Sequence, residues 1–297
     1  MALPTRVLSL CAGAGGLDLG LRLTVPDART VCYVENEVTA CGVLVSRMEE
    51  KSLDPAPLWT DLRTFDGKPW SGAVDWVIGG YPCQPFSNAG RRLGANDPRH
   101  LWPEVRRIVS EVQPQYCFFE NVGAHLRLGF YEVATDLQSM GYTVAATLLK
   151  ASEVGAPHGR ERLFILADSN HGSRSPQSRE QYQARTQEPV STGIGGYSNG
   201  SRQWPEGDYS QLTSRIDRSE RPMEWPPGPK DDWSSIPERL WPTQVEPKVR
   251  GVADGMAGGL GRGDQLHILG NGVVPQQAAY ALQILRKEMD EYSSSIR

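Results

Sequence analysis

The sequence predicts an α/β protein, with a mostly parallel, doubly wound sheet covered by helices on both faces. Three observations carry that expectation. From Val7 to Ala167, short apolar runs alternate with helix-compatible stretches, which is the pattern of strands buried between layers of helix. A glycine cluster, Cys11-Ala12-Gly13-Ala14-Gly15-Gly16, follows the first run directly. The later runs end in loops holding the chain's most distinctive polar and thiol residues, and open α/β sheets gather their sites at such strand ends.

Taken in order, Val7 to Cys11, Val31 to Val34, Trp76 to Ile78, Tyr116 to Phe119, Thr143 to Leu149 and Leu163 to Ala167 read as buried strands. Leu17 to Leu23, Thr39 to Met48, Trp102 to Val112 and Tyr131 to Met140 read as the helices between them. Near the C-terminus, Gly270-Asn271-Gly272 reads as a loop and Pro275 as the first turn of a helix. Ala278, Ala281, Leu282 and Leu285 fall on one face of that helix, and the tail from Ser293 is expected to fray.

Between these regular parts the texture changes. Residues 168–247 hold 10 of the 22 prolines and 12 serines, but only 8 residues from Val, Ile, Leu, Met and Phe. Few large aliphatics mean little core of its own. Trp204, Trp225, Trp233 and Trp241 argue against plain disorder, so the expectation is a small, irregular, Trp-pinned module with flexible stretches. The resulting division is 1–167, 168–247 and 248–297, with the last segment returning to the first.

The 297 residues include 31 Lys and Arg against 35 Asp and Glu, a net charge of −4. This excludes a uniformly basic nucleic-acid coat but not a local basic cleft. A mean hydropathy of −0.44 and the lack of a long apolar run argue against a membrane span. The N-terminal residues do not resemble a secretion signal, and the five scattered cysteines suit a reducing cytoplasm.

Glycines at a strand-to-helix turn let backbone approach a ligand closely. Glu35, at the end of the second strand, could accept both ribose hydroxyls of a nucleoside. Asp61, after Trp59-Thr60, could accept from an adenine amine. These features suit S-adenosylmethionine and a nicotinamide dinucleotide equally, since both carry adenosine.

The loop Gly79-Gly80-Tyr81-Pro82-Cys83-Gln84-Pro85-Phe86-Ser87 separates them. Two prolines stiffen a loop around one cysteine at a strand end, whereas Cys32 and Cys117 sit inside apolar runs as structural thiols do. Glu120, in Phe118-Phe119-Glu120-Asn121-Val122, ends another buried strand, where desolvation raises a carboxyl's pKa. In Pro157-His158-Gly159-Arg160-Glu161-Arg162, an extended backbone would turn Arg160 and Arg162 to one side.

Together, Cys11 to Gly16, Gly80 to Ser87, Glu120-Asn121-Val122, Arg160-Glu161-Arg162 and Gly270-Asn271-Gly272-Val273-Val274-Pro275 resemble the DNA (cytosine-5) methyltransferases of the bacterial and phage type, in that family's order. The likeness covers roughly the first 167 and the last 50 residues. It implies the S-adenosylmethionine-dependent methyltransferase fold, with a target-recognition module inserted before the C-terminal helix.

By that resemblance Cys83 is the nucleophile that adds to cytosine carbon 6. Glu120 acts at ring nitrogen 3 and the exocyclic amine, while Arg162 contacts the base carbonyl with Arg160 beside it. The cofactor set comprises Cys11, Ala12, Gly13, Ala14, Gly15, Gly16, Leu17, Glu35, Asn36, Asp61, Leu62, Gly80, Pro82, Leu101, Asn271 and Val273. Gln84, Ser87, Arg91, Arg92, Arg202, Arg215 and Arg218 are candidate DNA contacts, and no metal is implied. The substrate is double-stranded DNA with the target base flipped out, and the protein a monomer, with a cognate restriction endonuclease as a possible companion.

Departures from the pattern are Cys11 in place of an aromatic that packs on adenine, His158 in place of a glutamine, and Gly272 in place of Ala or Ser. Other readings are an RNA (cytosine-5) methyltransferase acting on transfer RNA, a nicotinamide-dependent oxidoreductase, and a degenerate DNA-binding protein without activity.

Overall fold

A computed structural model describes residues 4–82, 101–156, 158–169 and 270–295. The chain begins with β1 (Thr5–Leu10), α1 (Gly16–Thr24), β2 (Ala28–Val34), α2 (Val38–Glu49), β3 (Leu58–Trp59) and β4 (Trp76–Gly79). It continues with α3 (Trp102–Val112), β5 (Tyr116–Val122), α4 (His125–Leu128), α5 (Phe130–Ser139), β6 (Thr143–Lys150), β7 (Glu161–Asp168) and α6 (Pro275–Ser295). Single 3₁₀ turns at Lys68–Trp70 and Ala151–Val154 connect elements.

The strands form one seven-stranded sheet in the order β3-β2-β1-β4-β5-β7-β6. The first five are parallel, and β7 enters antiparallel between β5 and β6. The mostly parallel, doubly wound sheet expected from the sequence is observed.

Alternation along each strand divides the core in two. Leu8, Leu10, Val34, Val77, Cys117, Phe119, Leu163 and Ile165 face α3 and α5. Val7, Trp76, Ile78, Phe118, Phe164 and Leu166 face α1 and α6 through Leu17, Leu21, Ala278, Leu282 and Leu285. The strands are apolar in succession because both faces are covered. α3 begins and ends where the sequence places it, and the apolar face expected for α6 is buried.

Local chemistry accounts for several boundaries. Glu37 caps α2, its carboxylate accepting from the Thr39 and Ala40 amides. Asp18, buried on α1, accepts from Ser9 Oγ on β1 at 2.9 Å and from Thr30 Oγ1 on β2 at 2.8 Å. This ties the helix that follows the glycine turn to two strands beneath it. Burial pushes the Asp18 carboxyl up to about 6, against the pull of the two hydroxyls.

Three expectations are corrected. β1 stops at Leu10, because Cys11 adopts a left-handed φ of 48° and leaves the strand. Gly270 and Asn271 are helical, with the loop confined to residues 272–274. The C-terminal helix continues through Ser293 to Ser295. The module expected over 168–247 lies outside the described residues, apart from Asp168, which ends β7, and Ser169.

α6 packs closely on α1. A Cβ on Gly20 would stand 2.6 Å from Ala278 Cβ and 2.8 Å from the Pro275 carbonyl oxygen, whereas one on Gly42, in mid-helix α2, meets nothing within 4 Å. Gly20→Ala is therefore expected to destabilise the protein by about 1–3 kcal/mol through overpacking. Gly42→Ala should stabilise it by about 0.5–1 kcal/mol through helix propensity. Paired urea denaturation curves check both, and equal shifts in one direction would contradict the close approach.

Candidate functional site

The site is built where β1, β4 and β5 end beside the start of the antiparallel β7. The glycine turn is fixed by left-handed conformations at Cys11, Gly13 (φ 54°) and Gly15 (φ 77°), the last of which caps α1. Ala12 N–H donates to the Val34 carbonyl, and Gly15 N–H to the Ala12 carbonyl. Gly16 has no room for a side chain, since a Cβ there would collide with the Val273 carbonyl. The turn and the segment before α6 are thus in backbone contact, with Leu17 buried behind them.

Glu35, buried after β2, supports the turn from below. Its Oε2 accepts from Gly13 N–H at 2.7 Å, while Oε1 accepts from the Asn36 and Glu37 amides at 2.9 and 2.8 Å. A carboxylate has about four acceptor positions, so Oε2 retains one for a ligand hydroxyl. Among the described residues nothing lies within 4 Å of a Cβ at Gly13, which gives a ligand room beside the carboxylate.

Asp61 lies beyond β3, its Oδ1 receiving Arg63 N–H at 3.0 Å. Trp59, half exposed, donates its indole N–H to the Asp61 carbonyl at 2.9 Å and is edge-on to Phe65. Leu62 is buried in the α3-side core, and Leu101 packs on its edge.

Gly80 sits between the turn and the carboxylate of β5. A Cβ there would lie 3.4 Å from Glu120 Oε2 and 4.0 Å from the Cys11 carbonyl. Tyr81 and Pro82 follow, and Asn121 Nδ2 donates to the Tyr81 carbonyl at 3.0 Å, anchoring the backbone two residues before Cys83. The Tyr81 hydroxyl meets His125 Nε2 at 3.1 Å, a second buried anchor.

Glu120 and Arg162 lie on adjacent antiparallel strands. Val122 is paired with Arg162 and Glu120 with Phe164, so Glu120 and Arg162 are diagonal neighbours on one face, within reach of a long side chain. Arg162 Nε approaches Glu120 Oε1 to 2.8 Å. Among the described residues Oε1 has no well-aligned hydrogen-bond donor, so the approach is foremost a charge contact. Arg160 donates to the Gly270 carbonyl.

Burial raises the Glu120 carboxyl to about 7, with Arg162 first and Arg160 second opposing it. Arg160 is itself lowered to about 10 by burial and by Arg162. Every described thiol moves the other way from an activated nucleophile. Cys11 is pushed up to about 12 by burial and by Glu35, and burial raises Cys32, Cys41 and Cys117 as well.

The structure therefore brings Cys11 to Leu17, Glu35, Gly80, Glu120, Arg160, Arg162 and Val273 around one set of strand ends. Asn36 is exposed on the rim, as are Pro82 and Asn271. Cys83, Gln84, Ser87, Arg91, Arg92, Arg202, Arg215 and Arg218 lie outside the described residues. Sequence reasoning missed the Tyr81–His125 pair, the Asn121 clamp and Gln277. Only the Glu-Asn-Val run signalled one of them.

The family model for C-5 cytosine-specific DNA methylases matches residues 5–240, well over half of the chain. The chain belongs to that family. It is similar to Type II methyltransferase M.NgoMIV of Neisseria gonorrhoeae, 34% identical over 168 residues that cover 55% of this chain and 51% of that protein. It is also similar to Type II methyltransferase M.AquIA of Picosynechococcus sp., 32% identical over 179 residues, 55% of this chain and 71% of that one. Type II methyltransferase M.Eco47II of Escherichia coli is 34% identical over 170 residues, 55% and 39% respectively. The chain thus spans about half the length of several curated relatives it matches. Among solved structures, a mutant DNMT2 from Spodoptera frugiperda superposes with a TM-score of 0.47 at 23% identity, covering 58% of this chain and 52% of that one.

Among the described residues no helix is long and apolar enough to cross a membrane, and no group of three or more His, Cys, Asp or Glu could hold a metal ion.

The Glu120 geometry makes a direct prediction. Its folded pKa of about 7 stands above the ordinary value of 4.5, so its contribution to stability is present below pH 4.5 and lost as pH rises through about 7. Glu120→Gln should flatten the stability profile across that window. Arg162→Met removes the main opposing charge, so carbon-13 NMR of the Glu120 carboxyl should show a midpoint above that of the wild type. A midpoint that falls or stays put would contradict the charge contact.

Proposed function

We propose that the protein transfers a methyl group from S-adenosylmethionine to carbon 5 of cytosine in double-stranded DNA. The observation that carries this is Glu120, protonatable near neutrality and flanked by Arg162, at a strand end beside Gly80, with Cys83 three residues further along the chain. Membership of the family supports the same reading, as do the printed names of the Type II methyltransferases.

Cytosine carbon 5 is a weak nucleophile, so the reaction needs covalent help. The Cys83 thiolate adds its electron pair to carbon 6 of a flipped-out base. Glu120 holds the proton at ring nitrogen 3 as negative charge enters the ring, and Arg162 and Arg160 stabilise the base carbonyl side. S-adenosylmethionine, when bound, supplies the electrophilic methyl group that carbon 5 attacks. A base then removes the carbon 5 proton, and the returning electron pair expels Cys83 and restores the aromatic ring.

The residues at the glycine turn fit an adenosyl ligand. Glu35 Oε2 would take a ribose hydroxyl, the space beyond Gly13 would admit the nucleoside, and Leu62 and Leu101 would offer apolar contact. Cys11 gives less packing surface to adenine than an aromatic, and the half-exposed Trp59 stands near the Asp61 end of the same rim. The raised pKa values of the four described thiols support Cys83 as the nucleophile. We further propose residues 168–247 as the target-recognition module, with the protein acting as a cytoplasmic monomer beside a cognate restriction endonuclease.

Bisulfite sequencing of DNA from cells expressing the protein tests the reaction and reads the target together; protected cytosines at one motif are expected, and uniform conversion overturns the proposal. Cys83→Ser should still bind S-adenosylmethionine yet form no covalent adduct with duplex DNA containing 5-fluorocytosine. A persisting adduct would assign the nucleophile elsewhere.

A further inference from the structure

Gln277 lies in the first turn of α6 and is completely buried. Its Nε2 donates to the Leu149 carbonyl at 2.7 Å and to the Arg160 carbonyl at 3.0 Å. These carbonyls belong to opposite sides of the β6–β7 hairpin, where the ladder closes at Lys150 and Glu161 and opens into the Ala151–Val154 turn. Arg160 O accepts also from Ala151 N–H at 2.9 Å.

Among the described residues the other end of the same amide has no hydrogen-bond partner, Gln277 Oε1 being buried. Leaving a buried carbonyl unpaired is destabilising. A position serving packing alone would be better filled by Leu or Met. What distinguishes glutamine here is its amide nitrogen, with two hydrogens at a reach that spans both strands.

We infer that Gln277 is a positioning residue, pinning the carbonyls of Leu149 and Arg160 to α6 and thereby fixing where Arg160 and Arg162 stand relative to Glu120. The same helix start follows the segment whose Val273 carbonyl abuts Gly16 and whose Gly270 carbonyl receives Arg160. The hairpin carrying both arginines and the glycine turn are therefore referenced to one piece of backbone. The inference rests on the methyltransferase reading only for its kinetic consequence; the geometric consequence stands without it.

Among the described residues, the charged groups facing Glu120 are Arg162 on β7 and Arg160 just before it. Both lower its pKa, so releasing the hairpin weakens both effects and raises the Glu120 titration. Protonated Glu120 then persists to higher pH, and the alkaline limb of the pH–rate profile moves upward.

The test compares wild type with Gln277→Met, which keeps length and loses both donors. In methyl-transfer assays on duplex DNA, kcat is expected to fall about tenfold, equivalent to 1.4 kcal/mol of barrier. Equilibrium dialysis should show the dissociation constant for S-adenosylmethionine unchanged within about twofold. The alkaline limb should shift upward, and carbon-13 NMR should place the Glu120 midpoint above that of wild type. An unaltered kcat and an unaltered Glu120 midpoint in folded Gln277→Met overturn the proposal.

If Gln277→Met does not fold, Gln277→Glu decides. Its carboxyl donates only when protonated, and then to one of the two carbonyls, so its activity relative to wild type should recover in part as pH falls, and a constant ratio would refute the role. If the wild-type protein itself transfers no methyl group, the methyltransferase reading fails. The Glu120 midpoint in the variant then still decides whether Gln277 positions the arginines.

Discussion

The arrangement of the site depends on one charge contact across the β5–β7 ladder, where Arg162 meets the buried carboxyl of Glu120. Neither partner alone explains the site. Glu120 buried without a cation would stay neutral to higher pH, and Glu120 in water would be an anion at neutrality. Desolvation and the two arginines oppose one another, and their balance leaves a carboxyl that exchanges its proton near neutrality. The antiparallel entry of β7 between β5 and β6 makes this possible, because it sets Arg162 diagonally across from Glu120 on the α1 and α6 face.

That face has its own constraint. Two glycines, Gly16 and Gly20, let α1 approach the segment at the start of α6 until backbone touches backbone. The C-terminal helix reaches the ends of β6 and β7 from there, through Gln277. Residues more than a hundred positions apart thus share one reference frame. A ligand held by the glycine turn and a base held by the arginines would be aligned to each other through α6.

Much of the fold was legible because its cause is local. Strands buried on both faces must be apolar in succession, and α3 carries a one-sided apolar pattern, so its limits could be read directly. Cys32 and Cys117 were recognisable as structural thiols from the apolar runs around them. The sequence reads β1 one residue too long because Cys11 looks like a strand residue, and only the turn it enters demands a left-handed backbone. The helical state of Gly270 and Asn271 was hidden by glycine and asparagine, which ordinarily mark loops.

By itself the sequence determined which residue types stand at the strand ends, and with them the family, because glycines, a proline-flanked cysteine, a glutamate and paired arginines are chemical necessities written in order along the chain. Only the tertiary structure decided how those groups act on each other. The pKa of Glu120, the clamp from Asn121 to the Tyr81 carbonyl and the burial of Gln277 against two hairpin carbonyls all depend on residues distant in sequence. Gln277 is the plainest example. In the sequence it is a polar residue early in a helix, and it becomes a donor to the hairpin only because the core excludes water and leaves those carbonyls as its partners.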